Sequence, residues 1–111
     1  MDIREERKGT VLMLSVAGRL DSTNSSELDG VIAEQIDRGE KTILVNCEQL
    51  AYVSSSGLRV LLMGLKKMQT VQGTFALCSL QAAIREIFDI SGFTGIFPIY
   101  GSASEALNGM G

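Results

Sequence analysis

Two kinds of hydrophobic pattern alternate along the chain: short apolar runs rich in β-branched residues, and longer stretches in which apolar residues recur every three to four positions. The short runs predict buried strands at Thr10–Gly18, Lys41–Cys47, Thr74–Cys78 and Ile96–Tyr100. A further short edge strand is expected near Ile3–Glu6. The stretches with helical spacing fall between these strands, so the chain is predicted to alternate strand and helix.

Polar residues and glycines mark the ends of the first two predicted helices. The first helix is expected to start at Asn24, with Glu27 three residues later in a capping-box arrangement, and to stop at Gly39. The second helix follows a cluster of serines and extends through about Gln69.

Similar signals bound the two later helices. The third helix is expected to be capped by Ser79 and to end at Gly92. A short last helix is expected to begin with a capping box formed by Ser102 and Glu105.

This order predicts an α/β fold, a single domain over residues 1–111 with a four- to five-stranded, mixed, mostly parallel sheet and about four helices mainly on one face. The strands Val11–Val16 and Ile43–Cys47 should be parallel, because a helical crossover joins them. The loops Gly18–Thr23 and Val53–Gly57 then leave from the same edge of the sheet, where sites form in open α/β sheets. We expect these two polar loops to be neighbours.

Three consecutive serines, Ser54 to Ser56, precede the second helix. One of them is explained as an N-cap, because a serine oxygen accepts a hydrogen bond from an unpaired backbone N–H. Turn propensity is one explanation for the other two. Recognition by a partner is the alternative, and the spacing leaves both open.

The second helix has apolar residues on both of its faces. A rotation of about 100° per residue places Arg59, Val60 and Met63 on its outward side, together with Lys66 and Lys67. Val60 and Met63 either belong to a docking surface or are covered by another element. The positions predicted to face the core are Leu58, Leu61, Leu62, Leu65 and Met68.

Composition narrows the classes of function. A chain of 111 residues with 45% hydrophobic residues fits one folded domain. A net charge of −3 and a pI near 4.9 argue against direct nucleic-acid binding. No apolar run reaches the roughly 18 residues of a membrane span, and the charged N-terminal segment lacks the apolar region of a signal peptide. We therefore expect no membrane insertion and a cytoplasmic location.

The chain has no histidine, and its two cysteines, Cys47 and Cys78, lie at apolar runs. Buried free thiols are the expected state of both. The absence of histidine excludes a Ser-His-Asp triad and most zinc sites. No phosphate-binding GxxxxGK[ST] or GxGxxG motif occurs, so no motif supports nucleotide binding, and the sequence leaves nucleotide binding without turnover open. We predict no catalytic residue, no metal and no cofactor.

Three segments resemble the STAS domain of the bacterial anti-sigma factor antagonists: "GRLDS", "ILVNCEQLAYVSSSGLRVLL" and "IREIFDISGFTGIFPIY". The resemblance extends from about Thr10 to Leu107. It implies a STAS fold and regulation through partner switching. Such a domain, when unphosphorylated, binds an anti-sigma factor that is also a serine kinase and thereby releases the sigma factor. The kinase phosphorylates a serine of the domain, and a serine phosphatase removes the phosphate.

The resemblance also assigns roles to individual residues. The family motif reads Asp-Ser-Ser-Gly; anchored on Gly57, it places the phosphorylated serine at Ser55. Ser54 stands where the family has aspartate, which leaves Ser54 as a second candidate acceptor, and the aspartate of the family's GxLD loop matches Asp21. With the outward face of the second helix, this predicts a partner-binding surface formed by Asp21, Ser22, Ser54, Ser56, Gly57, Arg59, Val60 and Met63.

An alternative keeps the fold and changes the function. STAS domains also serve as subunits of lipid-transport ABC systems or of stress-signalling assemblies, in which the serine is not phosphorylated. The identities of the kinase, phosphatase and sigma factor and the oligomeric state are not encoded in any motif of the chain.

Overall fold

Strands and helices alternate in the structure, a computed structural model that describes residues 1–110. Within these residues there are six strands, four α-helices and one 3-10 helix. In chain order they are β1 (Asp2–Lys8), β2 (Val11–Leu20), α1 (Ser25–Asp37), β3 (Thr42–Asn46), β4 (Leu50–Val53), α2 (Ser55–Thr70), β5 (Thr74–Cys78), α3 (Ala82–Ile90), the 3-10 helix (Phe93–Gly95), β6 (Ile99–Tyr100) and α4 (Ala103–Met110).

The sheet is mixed and mostly parallel, as predicted. Its strands are ordered β1-β2-β3-β5-β6, and β4 pairs with the end of β2. Only the β1–β2 pair is antiparallel within the described residues. The edge strand expected near Ile3–Glu6 is longer than predicted and forms β1.

The sequence predicts four to five strands, and the strand that it does not predict is β4. Its apolar run, Leu50–Val53, is only four residues long, and Ala51 and Tyr52 in the middle of it are exposed. It is defined instead by pairing with the last three residues of β2. So short an apolar run does not by itself distinguish a strand from a loop, and the pairing with β2 decides it.

The helices lie mainly on one face of the sheet, also as predicted. Because side chains alternate along a strand, each strand contributes to two apolar layers. One layer packs under α1, α2 and α3. The other, smaller layer packs under α4. The strand residues in the larger layer include Leu12, Leu14, Val16, Ile43, Val45, Phe75 and Leu77; those in the smaller layer are Val11, Met13, Leu44, Ala76 and Cys78.

Several predicted helix ends are confirmed. Gly39 and Gly92 follow α1 and α3 with positive φ angles of 93° and 77°, the left-handed conformation that commonly ends helices. Ser102 accepts a hydrogen bond from the Glu105 N–H at 3.1 Å, and the Glu105 carboxylate accepts one from the N–H of Gly101 at 3.1 Å. The last helix therefore starts with reciprocal capping.

The prediction that Ser79 caps the third helix is wrong. Ser79 has a φ of +60°, and its N–H donates to the Tyr100 carbonyl at 3.1 Å. It thus extends the pairing between β5 and β6 past the end of β5. The helix begins later, at Ala82, with Gln81 in the N-cap position.

The two cysteines are free and buried, as predicted. Cys47 belongs to the apolar layer under α1 to α3, whereas Cys78 belongs to the layer under α4. Because the sheet separates their side chains, a disulfide between them would require the backbone to move. Burial raises the pKa of the Cys47 thiol to about 12, with a smaller contribution from nearby Cys78.

We predict that Cys47 makes the protein less stable at alkaline pH. A thiol in the unfolded chain ionises near pH 9, whereas the buried thiol stays protonated up to about pH 12. Between these values the unfolded state is favoured by up to ~1.4 kcal/mol per pH unit. Urea unfolding of the wild type and of Cys47→Ala at several pH values measures this effect. The stability advantage of the wild type should narrow above about pH 9; a constant difference would contradict the prediction.

Candidate functional site

The strand β2 changes partner along its length. Its residues Leu12–Ser15 pair with β3, and its residues Gly18–Leu20 pair with β4. A register shift between Gly18 and Arg19 separates the two regions. Gly18 has a φ of +95°, and its N–H donates to the Gln49 carbonyl at 2.9 Å. The bulge redirects the end of β2 towards the chain segment that carries the serines.

The two polar loops are neighbours, as the parallel strands predict. Leu20 and Val53 are opposite each other at the end of the β2–β4 pair. The next residue, Ser54, donates its N–H to the Leu20 carbonyl at 2.9 Å. The loop that begins at Asp21 therefore starts directly beside the serines.

The three serines have different surroundings. Ser54 is the N-cap of α2, and its Oγ accepts a hydrogen bond from the Gly57 N–H at 3.2 Å. Ser55 is the first residue of α2 and is exposed, whereas Ser54 and Ser56 are half-buried. Among residues 1–110, no partner donates to or accepts from the Ser55 hydroxyl. One serine is thus used for capping, and the next one presents a free hydroxyl to solvent.

Gly57 allows α2 to approach the sheet closely. The residue is buried, and a Cβ atom at this position would lie 2.7 Å from the Leu20 side chain and 2.8 Å from the Val53 side chain. These distances are too short for any side chain without movement of the neighbours. Gly57 was predicted to belong to the partner-binding surface, but it lies beneath that surface. Its close contact with the sheet fixes the position of the serines.

Asp21 is held within its own loop. Its Oδ1 accepts hydrogen bonds from the Thr23 N–H at 3.0 Å and from the Thr23 hydroxyl at 2.6 Å. The Thr23 hydroxyl, then the Thr23 N–H and more weakly the charge of Arg19, lower the pKa of Asp21. The carboxylate is therefore charged at neutral pH. Ser22, next to it, is exposed.

Asn24 does not form the predicted capping box with Glu27. It occupies the N-cap position of α1, but its side chain makes no capping hydrogen bond. Its Oδ1 instead accepts from the Asp21 N–H at 3.0 Å, and its Nδ2 donates to the Arg19 carbonyl at 2.9 Å. The Asn24 side chain therefore stabilises the loop before α1 and does not cap the helix.

A cation–π pair at the same edge was not found by sequence reasoning. The guanidinium carbon of Arg19 lies 4.1 Å from the centre of the Tyr52 ring. The two residues are paired across β2 and β4, and Tyr52 is 38% exposed. This contact depends on the pairing of β2 with β4, a strand that the sequence did not predict. The periodicity of apolar residues therefore could not reveal the Arg19–Tyr52 pair.

The outward face of α2 is narrower than predicted. Arg59 is exposed and Met63 is 41% exposed, both as expected. Val60 is only 9% exposed and belongs to the core, so its assignment to the outward face is wrong. The reason is that α1 packs beside α2, as the ion pair between Lys67 and Asp29 at 3.5 Å also shows. The buried arc of α2 therefore spans both the sheet and α1.

A separate groove of about 310 Å³ lies on the sheet face opposite α1, α2 and α3, away from the serines. It contains none of the predicted site residues; its lining includes Asp2, Arg4, Glu6, Ser15 and Asn46. Within residues 1–110, no three acidic or cysteine side chains are grouped so as to hold a metal ion. No helix of this part of the chain is long and apolar enough to span a bilayer.

We predict that Gly57→Ala destabilises the protein by ~1–3 kcal/mol, because the added methyl group would overlap Leu20 and Val53. Gly30→Ala is the matched control. Gly30 also lies in a helix, but a Cβ there meets no atom within 4 Å, so this change should be neutral or stabilise by up to ~1 kcal/mol. Urea unfolding measures both. Equal effects of the two substitutions would contradict the close approach of α2.

We further predict that Ser54→Ala and Ser55→Ala differ in stability. Ser54→Ala removes the acceptor of the Gly57 N–H and should cost ~1 kcal/mol. Ser55→Ala removes an exposed hydroxyl and should change stability by less than ~0.5 kcal/mol. Thermal and urea unfolding distinguish the two. A larger loss for Ser55→Ala would show that Ser55 is the capping residue.

Comparisons with known proteins agree with this fold. The profile of the STAS domain family matches residues 2–106. BtrV of Bordetella bronchiseptica, provisionally named an anti-sigma factor antagonist, is 37% identical over 106 residues, which cover 96% of this chain and 91% of BtrV. The anti-sigma F factor antagonist of Paenibacillus polymyxa is 30% identical over 108 residues, 96% of this chain and 92% of that protein.

A solved structure gives the same architecture. The phosphorylated form of the Bacillus cell fate determinant SpoIIAA matches with a TM-score of 0.76 and 24% identity, covering 96% of this chain and 97% of SpoIIAA. The profile match spans nearly the whole chain and agrees with the resemblance carried by the serine motif. The chain belongs to the STAS domain family.

Proposed function

We propose that this protein is an anti-sigma factor antagonist, and that phosphorylation of Ser55 controls its binding to an anti-sigma factor that is also a serine kinase. The observation that carries the proposal is that Ser55, at the start of α2, is exposed and that its hydroxyl has no hydrogen-bond partner among residues 1–110. The names of the two relatives support the general function. The phosphorylated state of SpoIIAA supports regulation by phosphate.

Ser55 is a better acceptor than either neighbour. The Ser54 oxygen already accepts the Gly57 N–H, and modification there would compete with capping. Ser56 is half-buried. The family motif has aspartate where this chain has Ser54, and both residue types are favoured N-caps. The replacement therefore keeps the cap and removes a negative charge beside the acceptor.

The modification is a phosphoryl transfer from ATP. A bond forms between the Ser55 Oγ and the γ-phosphorus of ATP, the bond from that phosphorus to its bridging oxygen breaks, and ADP leaves. The hydroxyl proton passes to a base of the kinase or to water. The phosphatase reverses the modification by hydrolysis, which releases inorganic phosphate. This chain supplies only the acceptor hydroxyl.

The fold should tolerate the phosphate. A phosphoserine carries about −1.5 to −2 charges at neutral pH. At the first position of a helix this charge meets free N–H groups and the positive end of the helix dipole, which favour it by ~0.3–1 kcal/mol. Ser55 is exposed, so no core contact has to break. The effect of the modification should therefore be confined to the surface.

A docked partner is less tolerant than the fold. A protein packed over the serine loop must bury or repel a dianion close to the charged carboxylate of Asp21. A thousandfold loss of affinity requires about 4 kcal/mol, which one poorly paired buried charge can supply. Val60 and Gly57 are buried and are left out of the proposed contact surface. That surface comprises Asp21, Ser22, Ser54, Ser55, Ser56, Arg59 and Met63.

We predict that the cognate kinase and ATP place phosphate on Ser55, as mapped by mass spectrometry. In a pull-down from cell extract, Ser55→Ala should retain the kinase, and Ser55→Asp should lose most of it. Ser104→Asp is the matched control, because Ser104 is also exposed near a helix start but lies on α4, across the sheet. It should bind like the wild type.

Two results would overturn the proposal. One is phosphate found elsewhere while Ser54, Ser55 and Ser56 stay unmodified. The other is equal retention of the partner by Ser55→Ala and Ser55→Asp. The second result would favour a STAS docking module that works without serine phosphorylation.

A further inference from the structure

Helix α2 is positively charged in a negatively charged protein. The chain has ten basic and thirteen acidic residues, yet α2 contains three basic residues, Arg59, Lys66 and Lys67, and no acidic one. Lys67 is paired with Asp29 of α1. The two other cations are exposed, and within residues 1–110 neither forms an ion pair. On the outward face of α2, the charges of Arg59 and Lys66 are therefore not neutralised by an ion pair within these residues.

Arg59 is the free cation next to the proposed phosphorylation site. It follows Ser55 by four residues on the same helix. Residues with this spacing are neighbours on a helix surface, with Cβ atoms about 5–6 Å apart. An acidic group four residues before a basic one is also the more favourable order. Lys66 lies two further turns along the helix, beyond the reach of a phosphate on Ser55.

We propose that Arg59 couples the phosphate to the loss of binding. In the unmodified protein its guanidinium binds a carboxylate of an acidic surface on the partner; after modification it pairs with the Ser55 phosphate of its own molecule. This inference rests on the proposed function and specifies how it works. Guanidinium and phosphate form strong, often bidentate hydrogen bonds. The phosphate therefore repels the partner and also occupies the group that the partner needs.

An acidic partner surface is favoured by charge complementarity. The exposed strip of α2 consists of a cation, Arg59, an apolar contact, Met63, and a second cation, Lys66. At its near end, Arg19 adds a further cation stacked on Tyr52. The carboxylate of Asp21 is engaged by Thr23. A partner that places carboxylates against this strip would neutralise charges that are otherwise unpaired.

The pairing within the molecule can be tested without any partner. Phosphoserine is incorporated at position 55 during translation, and the second ionisation of the phosphate is followed by ³¹P NMR. A neighbouring guanidinium favours the dianion, so Arg59→Gln should raise the second pKa of the phosphate by about 0.3 unit. Lys66→Gln is the matched control and should shift it by less than about a third of that amount. The effect of Arg59→Gln should disappear in about 1 M salt.

The partner contact is tested with the kinase recovered in the pull-down. Arg59→Gln in the unmodified protein should weaken its binding at least tenfold, and Lys66→Gln should weaken it less. A phosphate pKa that is equal in the wild type and Arg59→Gln would overturn the pairing. Unchanged affinity of Arg59→Gln for the kinase would overturn the acidic contact. Because the phosphoserine is introduced during translation, the NMR result is independent of whether a kinase modifies Ser55 at all.

Discussion

The hydrogen bond between the Ser54 N–H and the Leu20 carbonyl joins the two halves of the site, and the rest of the site depends on it. It spans 2.9 Å and continues the pairing of β2 with β4 by one residue. Two features favour it: the bulge at Gly18 turns β2 towards β4, and Gly57 lacks a side chain that would push α2 away. Two glycines far apart in the chain thus set the position of one serine.

This arrangement separates the scaffold from the exposed hydroxyl. The residues around Ser55 are fixed by backbone pairing, by the Ser54 cap and by the buried contacts of Gly57. The Ser55 side chain itself contributes to none of these. A charge added there changes the surface potential at the start of α2 without removing a contact from the core. A rigid scaffold that exposes one hydroxyl without a structural role suits a switch that changes how a partner recognises the surface.

The sequence predicted the elements well where their burial follows from their own residues. Apolar runs predict the buried strands, and the conformational freedom of glycine predicts the helix ends at Gly39 and Gly92. The direction of the parallel strands predicts that the two polar loops are neighbours. The predictions failed where the outcome depends on a neighbour. Predicting the burial of Val60 requires knowing that α1 lies beside α2. Predicting β4 from its four residues requires knowing that they pair with β2.

Polar side chains gave the same lesson on a smaller scale. Asn24 and Ser79 are both residue types that are favoured at N-caps. Each of them forms other hydrogen bonds in the structure. Asn24 binds the backbone of the Asp21 loop, and Ser79 continues the ladder towards Tyr100. Ser54 does cap its helix, because its hydroxyl accepts the Gly57 N–H. Candidate caps are predictable from sequence, whereas the choice among their available partners is decided by the tertiary fold.

Two features of the site act in the same electrostatic direction. Ser54 replaces the aspartate of the family motif, so one negative charge is missing directly before Ser55. Arg59, which forms no ion pair within residues 1–110, places a positive charge one turn after Ser55. Both lower the free energy of a dianion at Ser55, and Asp21 remains the charged carboxylate on the adjoining loop. A partner that covers the loop removes water from these charges and weakens their screening. Under the proposed function, a phosphate on Ser55 would be well accommodated by the free protein and poorly accommodated in a complex, which is the asymmetry that a reversible switch requires.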